Sequence, residues 1–337
     1  LSIVEELCMK YPIIQAPMAG ITTVDMVVAS LDAGILGSIG AGYLSAEKTR
    51  DFIRQVKAQT NKPFMINLFA HEIPPVVKHE IAIARQALID ANIDDSVRRD
   101  EMKLSNPVFD DQLDIVIEEG VAACSFTFGL PTYSQLQQLK KNNIFTIATA
   151  TTAEEVCAID ELGIDAICLQ GQEAGGHRAS FIEPLQYIPL DDLLKQAQAI
   201  TTKSLIVAGG IATKQQIDHY IEMGVDAVMI GTLLIVSDES SAPSAHKKAI
   251  LNASKDTTVI TNVFSGKAAR GISNSFIDKM RMLPTAPFPY QNDMTKGIRA
   301  RAKAANNADN MSLWAGSSLF LCKGGSVATI IQRLLSE

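Results

Sequence analysis

Residues 205–232 read LIVAGGIATKQQIDHYIEMGVDAVMIGT. An apolar run, Leu205–Ala208, stops at Gly209-Gly210. A segment of helical periodicity, Lys214–Met223, follows, and a second apolar run, Ala227–Ile230, stops at Gly231-Thr232. Continuous apolar runs alternating with helices are the pattern of parallel strands covered on both faces. The same unit recurs upstream. Runs at Ile13–Ala16, Leu36–Ile39, Phe64–Phe69, Val121–Phe126, Phe145–Ala148 and Ala166–Gln170 bring the total to eight. Helix-like stretches lie at Ala46–Gln59, Tyr133–Lys141, Ala153–Leu162 and Leu193–Ile200, and Ser45 and Thr152 stand where N-caps belong. Eight such units predict an α/β fold of the (β/α)8 TIM-barrel type over a doubly wound sheet.

Two segments fall outside the repeat. Residues 71–108, with Pro74-Pro75 and the charged run Arg98-Arg99-Asp100-Glu101, predict a helical insertion after the third strand. Residues 257–337 predict a mostly helical cap packed on a barrel that spans residues 1–256.

Composition narrows the function classes. The chain has 337 residues, 47% hydrophobic, with a formal charge of −7. That is ample for a large core, and the acidic balance argues against nucleic acid or an anionic membrane as partner. The apolar stretch 227–236 is too short to span a bilayer. The N-terminus lacks the basic start and cleavage site of a signal peptide. Cys8, Cys124, Cys157, Cys168 and Cys322 are odd in number with no CxxC spacing. They predict reduced, mostly buried thiols in a cytoplasmic protein, with no zinc site. A monomer or homodimer acting on a small molecule is the expected assembly.

Barrel chemistry sits at the C-terminal ends of the strands. There the chain carries Ala16-Pro17-Met18-Ala19-Gly20, Asn67, Ser125–Gly129, Gly209-Gly210 and Gly231-Thr232. The loops after strands seven and eight suit a phosphate held by backbone N–H groups. Asn67 and Gln170 carry amides, which both donate and accept, and so suit the polar edge of a ring system such as a flavin. Strand six runs into Gln170–Arg178, QGQEAGGHR, whose glycines set His177 at the mouth of the site. A histidine there serves as general base, or as cationic partner of an anion. Adjacent Arg178 is expected at the rim, Glu173 orients the loop or bonds the ligand, and His71, His79, His219 and His246 are assigned structural or surface roles.

Together, Pro12–Gly20 (PIIQAPMAG), Asn67, QGQEAGGHR, Ala208–Ile211, Gly231-Thr232, Phe264–Gly271 (FSGKAARG), Phe288–Asn292 and Trp314–Gly316 resemble nitronate monooxygenase, formerly 2-nitropropane dioxygenase, of the bacterial class I type. The resemblance implies a TIM barrel with noncovalent FMN that oxidises alkyl nitronates, notably propionate 3-nitronate. The oxidant is O2, no external reductant is needed, and the route runs through a flavin semiquinone to a carbonyl compound plus nitrite or nitrate. It implies a catalytic role for His177. It places FMN on Asn67, Gln170, Gly175, Gly209, Gly210, Met229, Ile230, Gly231 and Thr232. Tyr290 and Lys296 are candidates for the substrate carboxylate. Two positions depart from the pattern: Met229 stands where relatives usually carry glutamine, and Ala179 where many carry glycine. The rival readings are an FMN- and NAD(P)H-dependent enoyl-acyl-carrier-protein reductase, and a flavin-binding sensor barrel without catalysis.

Overall fold

The computed structural model describes residues 2–100 and 102–336. Its strands are β1 (Ile13–Gln15), β2 (Ser38–Gly40), β3 (Met65–Phe69), β4 (Ala123–Thr127), β5 (Phe145–Ala150), β6 (Ala166–Gln170), β7 (Gly176–His177), β8 (Ser204–Ala208), β9 (Ala227–Ile230), β10 (Thr258–Thr261) and β11 (Ala269–Ile272). Eight of them form a parallel sheet in the order β1-β9-β8-β6-β5-β4-β3-β2. A parallel bridge between Ile14 and Leu36 closes it, with Gln15 N donating to Leu36 O at 2.9 Å. The buried Gln15 amide extends that seam: its Oε1 accepts from Ser38 N (2.9 Å) and its Nε2 donates to Ser38 O (3.0 Å). A side chain here stands in for the backbone ladder that two three-residue strands are too short to supply. The fold is the TIM barrel that the repeat predicts.

Strand alternation sorts the side chains. Ile14, Met65, Ala123, Ile147, Cys168, Ile206 and Ala227 point inward and fill the barrel, while Ile66, Phe126, Ile167, Val207 and Val228 point outward against the helices. Ser45 and Thr152 cap helices Ala46–Lys57 and Ala153–Leu162, accepting from Lys48 N and Glu155 N. The final helix, Val327–Ser336, packs against helices Val24–Asp32 and Lys214–Glu222 and so belongs to the outer ring.

Residues 71–108 contain helix Lys78–Asp90 and a short turn at Asp95–Arg98. They share a second core with the C-terminal region, in which Ala84 and Leu88 meet Tyr290, Met294 and Ile298. Arg301 ties the two polar edges together, with Nε 2.6 Å from Asp94 and Nη2 2.8 Å from Asp100. The C-terminal region keeps helices Ser275–Met280 and Tyr290–Ala304 but opens with an unforeseen hairpin, β10–β11. That hairpin pairs with β7, placing Ala269 opposite His177. The five cysteines are free: Cys124, Cys168 and Cys322 are buried, and Cys8 and Cys157 are exposed. Among the described residues no helix is long and apolar enough to cross a membrane.

Candidate active site

A cavity of about 530 Å³ lies at the C-terminal ends of the barrel strands, within the range of small-molecule sites. Asn67, Gln170, Gly175, His177, Gly209, Gly210, Met229, Gly231, Thr232 and Lys296 line it. Alternation explains which strand residues reach it. Asn67 follows inward Met65 by two positions, as Gln170 follows Cys168 and Met229 follows Ala227. Ile230 is one position out of phase: its side chain lies in the outer core, and its carbonyl accepts from Ala16 N at 2.8 Å. The Ile230 side chain is therefore not at the site.

Asn67 is buried, and its Oδ1 accepts from Ser125 Oγ (2.8 Å) and Thr127 Oγ1 (3.0 Å). Its Nδ2 has no protein partner and remains a donor for a ligand. Gln170 does different work. Its Nε2 donates to His177 O at 3.0 Å and its Oε1 accepts from Ala179 N at 2.9 Å, which clips the loop to the end of β6. Met229 offers a thioether to the cavity floor while its backbone is held between Ile14 and Ala208.

The His177 loop is fixed from several sides. A Cβ on Gly175 would lie 2.5 Å from Ala315 C and Gly316 N, so only glycine lets the Trp314–Gly316 segment close on the loop. Gly316 N also donates to Thr232 Oγ1 at 2.9 Å, which spends that hydroxyl oxygen on the cap. Glu173 accepts from Leu190 N (3.2 Å) and so orients the loop. Arg178 is not at the rim. It is 1% exposed, and its Nη1 donates to Gly171 O at 2.7 Å, as the loop's carbonyls converge on it instead of a surface carboxylate. The buried Glu155 carboxylate, which the sequence did not announce, accepts from Thr151 N (2.6 Å), Phe181 N (2.6 Å) and Ile182 N (3.0 Å) and holds the chain just past His177.

His177 Nε2 lies 2.8 Å from Ser265 Oγ, and its ring is surrounded edge-on by Phe128, Phe288 and Trp314. Burial, and then the charges of Lys267 and Arg299, push its pKa down to about 3, so the imidazole is neutral near pH 7. The positive charge of the site resides instead on Lys267, Lys296, Arg299 and Lys303. No Asp or Glu is among the lining residues. Tyr290 does not line the cavity: it is 2% exposed in the second core, and its hydroxyl donates to Pro74 O. His246 is buried, its Nε2 meeting Trp314 O at 2.9 Å, and His71 is half-buried, whereas His79 and His219 are exposed.

Sequence alone does not bring Ser265, Lys267, Arg299 and Trp314 to His177, because all four come from the C-terminal region: β11 pairs with β7, Trp314 bridges Gly271, and Arg299 arrives on helix Tyr290–Ala304. The FSGKAARG run, which already resembled the family's pattern, contains two of them and was the available signal.

The residues present fit a flavin mononucleotide. An unpaired buried amide N–H faces the cavity at Asn67, and the backbone is bare at Gly209-Gly210, where φ is +123° and +68°. No lining carboxylate opposes a phosphate.

Known proteins resemble this chain along nearly its whole length. The nitronate monooxygenase family model matches residues 2–337. A probable nitronate monooxygenase of Staphylococcus saprophyticus is 37% identical, over 97% of this chain and 94% of its own length. One from Bacillus subtilis is 36% identical over 97% and 95%. Among solved structures, nitroalkane oxidase from Streptomyces ansochromogenes superposes with a TM-score of 0.92 at 29% identity, covering 99% of this chain and 97% of that one. FabK from Thermotoga maritima, at 24% identity and a TM-score of 0.77 over 99% and 94%, shares the fold.

Proposed function

The chain belongs to the nitronate monooxygenase family, and from that premise we propose that it oxidises small alkyl nitronates, propionate 3-nitronate foremost. The oxidant is O2, the cofactor is noncovalent FMN, and the products are a carbonyl compound with nitrite or nitrate. Flavin-dependent oxidation of nitronates is the general activity of the family. The observation that carries the finer reading is the charge arrangement: a neutral His177 beside Lys267 and Arg299, in a cavity lined by no carboxylate. Such a field lowers the energy of an anion at the cavity floor and opposes a proton on the imidazole.

The flavin supplies the electron-accepting chemistry when bound. Asn67 Nδ2 would donate to its ring edge, and the Gly209-Gly210 and Gly231-Thr232 backbones would hold its phosphate. Met229 offers no amide, so whatever hydrogen bonds form at that position come from the backbone. The remaining work belongs to this chain's residues. His177, oriented by Ser265 and by the Gln170 clip, has no hydrogen-bond partner on Nδ1, which leaves that nitrogen for the substrate. A nitronate arrives already deprotonated and needs no base. A neutral nitroalkane must give its α-proton to His177, and the imidazolium so formed is stabilised chiefly by the nitronate it has just created. Phe128, Phe288 and Trp314 exclude water around that pair. Nitronates are therefore the better substrates.

The test is to mix the FMN-loaded protein with propionate 3-nitronate, and separately with NADH, in the absence and presence of air. Flavin spectral change and O2 consumption with the nitronate, and silence toward NADH, are expected. Rapid bleaching by NADH with no response to the nitronate would overturn the reading in favour of a pyridine-nucleotide-dependent reductase.

A further inference from the structure

Among the described residues Cys8, Asn92, Asn143, Asp256 and Asn306 take positive φ, all in turns and all with short side chains. Phe128 takes it too, at φ +69°, directly after β4. A bulky side chain is disfavoured in that region and persists there only where the surrounding structure over-determines it. Glycine would adopt the conformation freely. A glycine does stand one position later, but it serves a different need: a Cβ on Gly129 would lie 2.1 Å from Ala70 O. The backbone thus holds a phenyl ring at a position where it would better suit glycine.

The ring lines the cavity and is tightly boxed. Its centroid lies 4.6 Å from that of Phe69, 5.5 Å from Phe288, 5.9 Å from His177 and 6.1 Å from His71, and Lys267 Nζ sits 4.9 Å from its centre. Phe128 N donates to Ala179 O at 3.3 Å, which ties the ring's own backbone to the chain two residues past His177. Phe128, Phe288 and His177 form a triangle with sides of 5.5, 6.0 and 5.9 Å. Aromatic rings at those separations are in contact, so no carbon substituent passes between them. A reacting carbon brought to the imidazole therefore meets a fixed aromatic wall on this side.

We propose that Phe128 is the specificity-determining residue that limits the substituent on the reacting carbon, admitting a methyl group or a slim unbranched chain and refusing a ring. The proposal rests on the nitronate reading above, in which His177 meets that carbon. A Phe128 that served packing alone would affect every ligand alike.

Two inert anions probe the wall without turnover. Propionate and phenylacetate differ only in the methyl or phenyl group on the carbon that stands where a nitronate reacts. Binding of each to the FMN-loaded protein is read from the flavin difference spectrum. Both carry one charge, so any change in the field of Lys267 cancels in the ratio of their affinities. Wild-type protein is expected to favour propionate. Phe128→Gly should shift the ratio toward phenylacetate by at least about tenfold, because the vacated space accepts apolar area. Phe128→Leu fills more of that space and should shift the ratio by about threefold, which keeps the series readable if the glycine variant does not fold. In turnover, kcat/KM for the nitronate of phenylnitromethane should rise by a similar factor relative to ethyl nitronate. Phe128→Gly should also melt about 1–2 °C above Phe128→Ala, because alanine retains the left-handed strain and glycine does not. A ratio unchanged in both variants, equal weakening of both anions, a wild type that prefers phenylacetate, or an alanine variant more stable than the glycine one would each overturn the proposal. A ratio that shifts as expected in a protein that oxidises neither nitronate would instead sink the nitronate reading and leave the wall standing.

Discussion

Three histidines in this chain, His246 buried and His71 and His177 half-buried, are held neutral, and lowering the pH from 7.5 to 5 should destabilise the protein through them. Burial holds His71 and His246 at about 4, and burial with Lys267 and Arg299 holds His177 at about 3. In the unfolded chain each returns to about 6.5. Because the folded values are depressed, the unfolded state binds more protons below pH 6.5. The stability these groups confer is complete above about pH 7 and drains away as pH falls toward 4. At pH 5 each histidine costs about 2 kcal/mol, so the three together cost about 6 kcal/mol as an upper figure. With an unfolding entropy near 2.1 cal/mol/K per residue, this 337-residue chain loses roughly 0.7 kcal/mol per degree, and Tm should fall by about 8 °C. Asp94 and Glu119, whose pKa values arginine hydrogen bonds help to lower, titrate below this window and do not contribute. The assay is a melting series on the flavin-free chain at constant ionic strength. His246→Gln, which can still donate to Trp314 O, should remove about a third of the drop. A Tm constant to within about 2 °C between pH 7.5 and 5 would refute the neutral-histidine account.

Other consequences follow from individual contacts. Gly175→Ala forces a Cβ against the Ala315–Gly316 backbone and should cost about 1–3 kcal/mol, with weakened FMN retention on gel filtration. Asn67→Leu removes an unpaired amide N–H that faces the cavity and strands the Ser125 and Thr127 hydroxyls; FMN affinity by fluorescence titration should drop roughly tenfold. Tyr290→Phe deletes only the hydroxyl that reaches Pro74 O, so a melt should record a loss of about 1 kcal/mol while KM for any nitronate stays unchanged; a raised KM would return Tyr290 to the substrate site.

The barrel was legible because its strands are buried on both faces and its helices begin with caps such as Ser45 and Thr152, so local sequence and global fold agree. The position of Asn67 and His177 followed from the rule that barrel chemistry lies at strand ends. What escaped was information carried by long-range contacts. Ile230 belongs to the right motif, yet one step along a strand turns its side chain to the other face. Arg178 looks like a surface residue until the carbonyls of 170–171 converge on it. β7 has two residues and becomes a strand only by pairing with β11 some ninety positions later, so no local pattern announces it. Arg299 reads as one charge among several on an amphipathic helix, and only the packing of that helix over the barrel brings it to the cavity.

The role proposed for His177 is that of a neutral base, needed by nitroalkanes and dispensable for nitronates. The decisive measurement is O2 consumption by FMN-loaded His177→Asn, compared with wild type, on ethyl nitronate and on neutral nitroethane. The expected result is retained FMN, a loss on nitroethane of at least about 100-fold, the typical worth of a general base, and a much smaller loss on ethyl nitronate. Equal loss on both substrates, or wild-type rates on both, would contradict it.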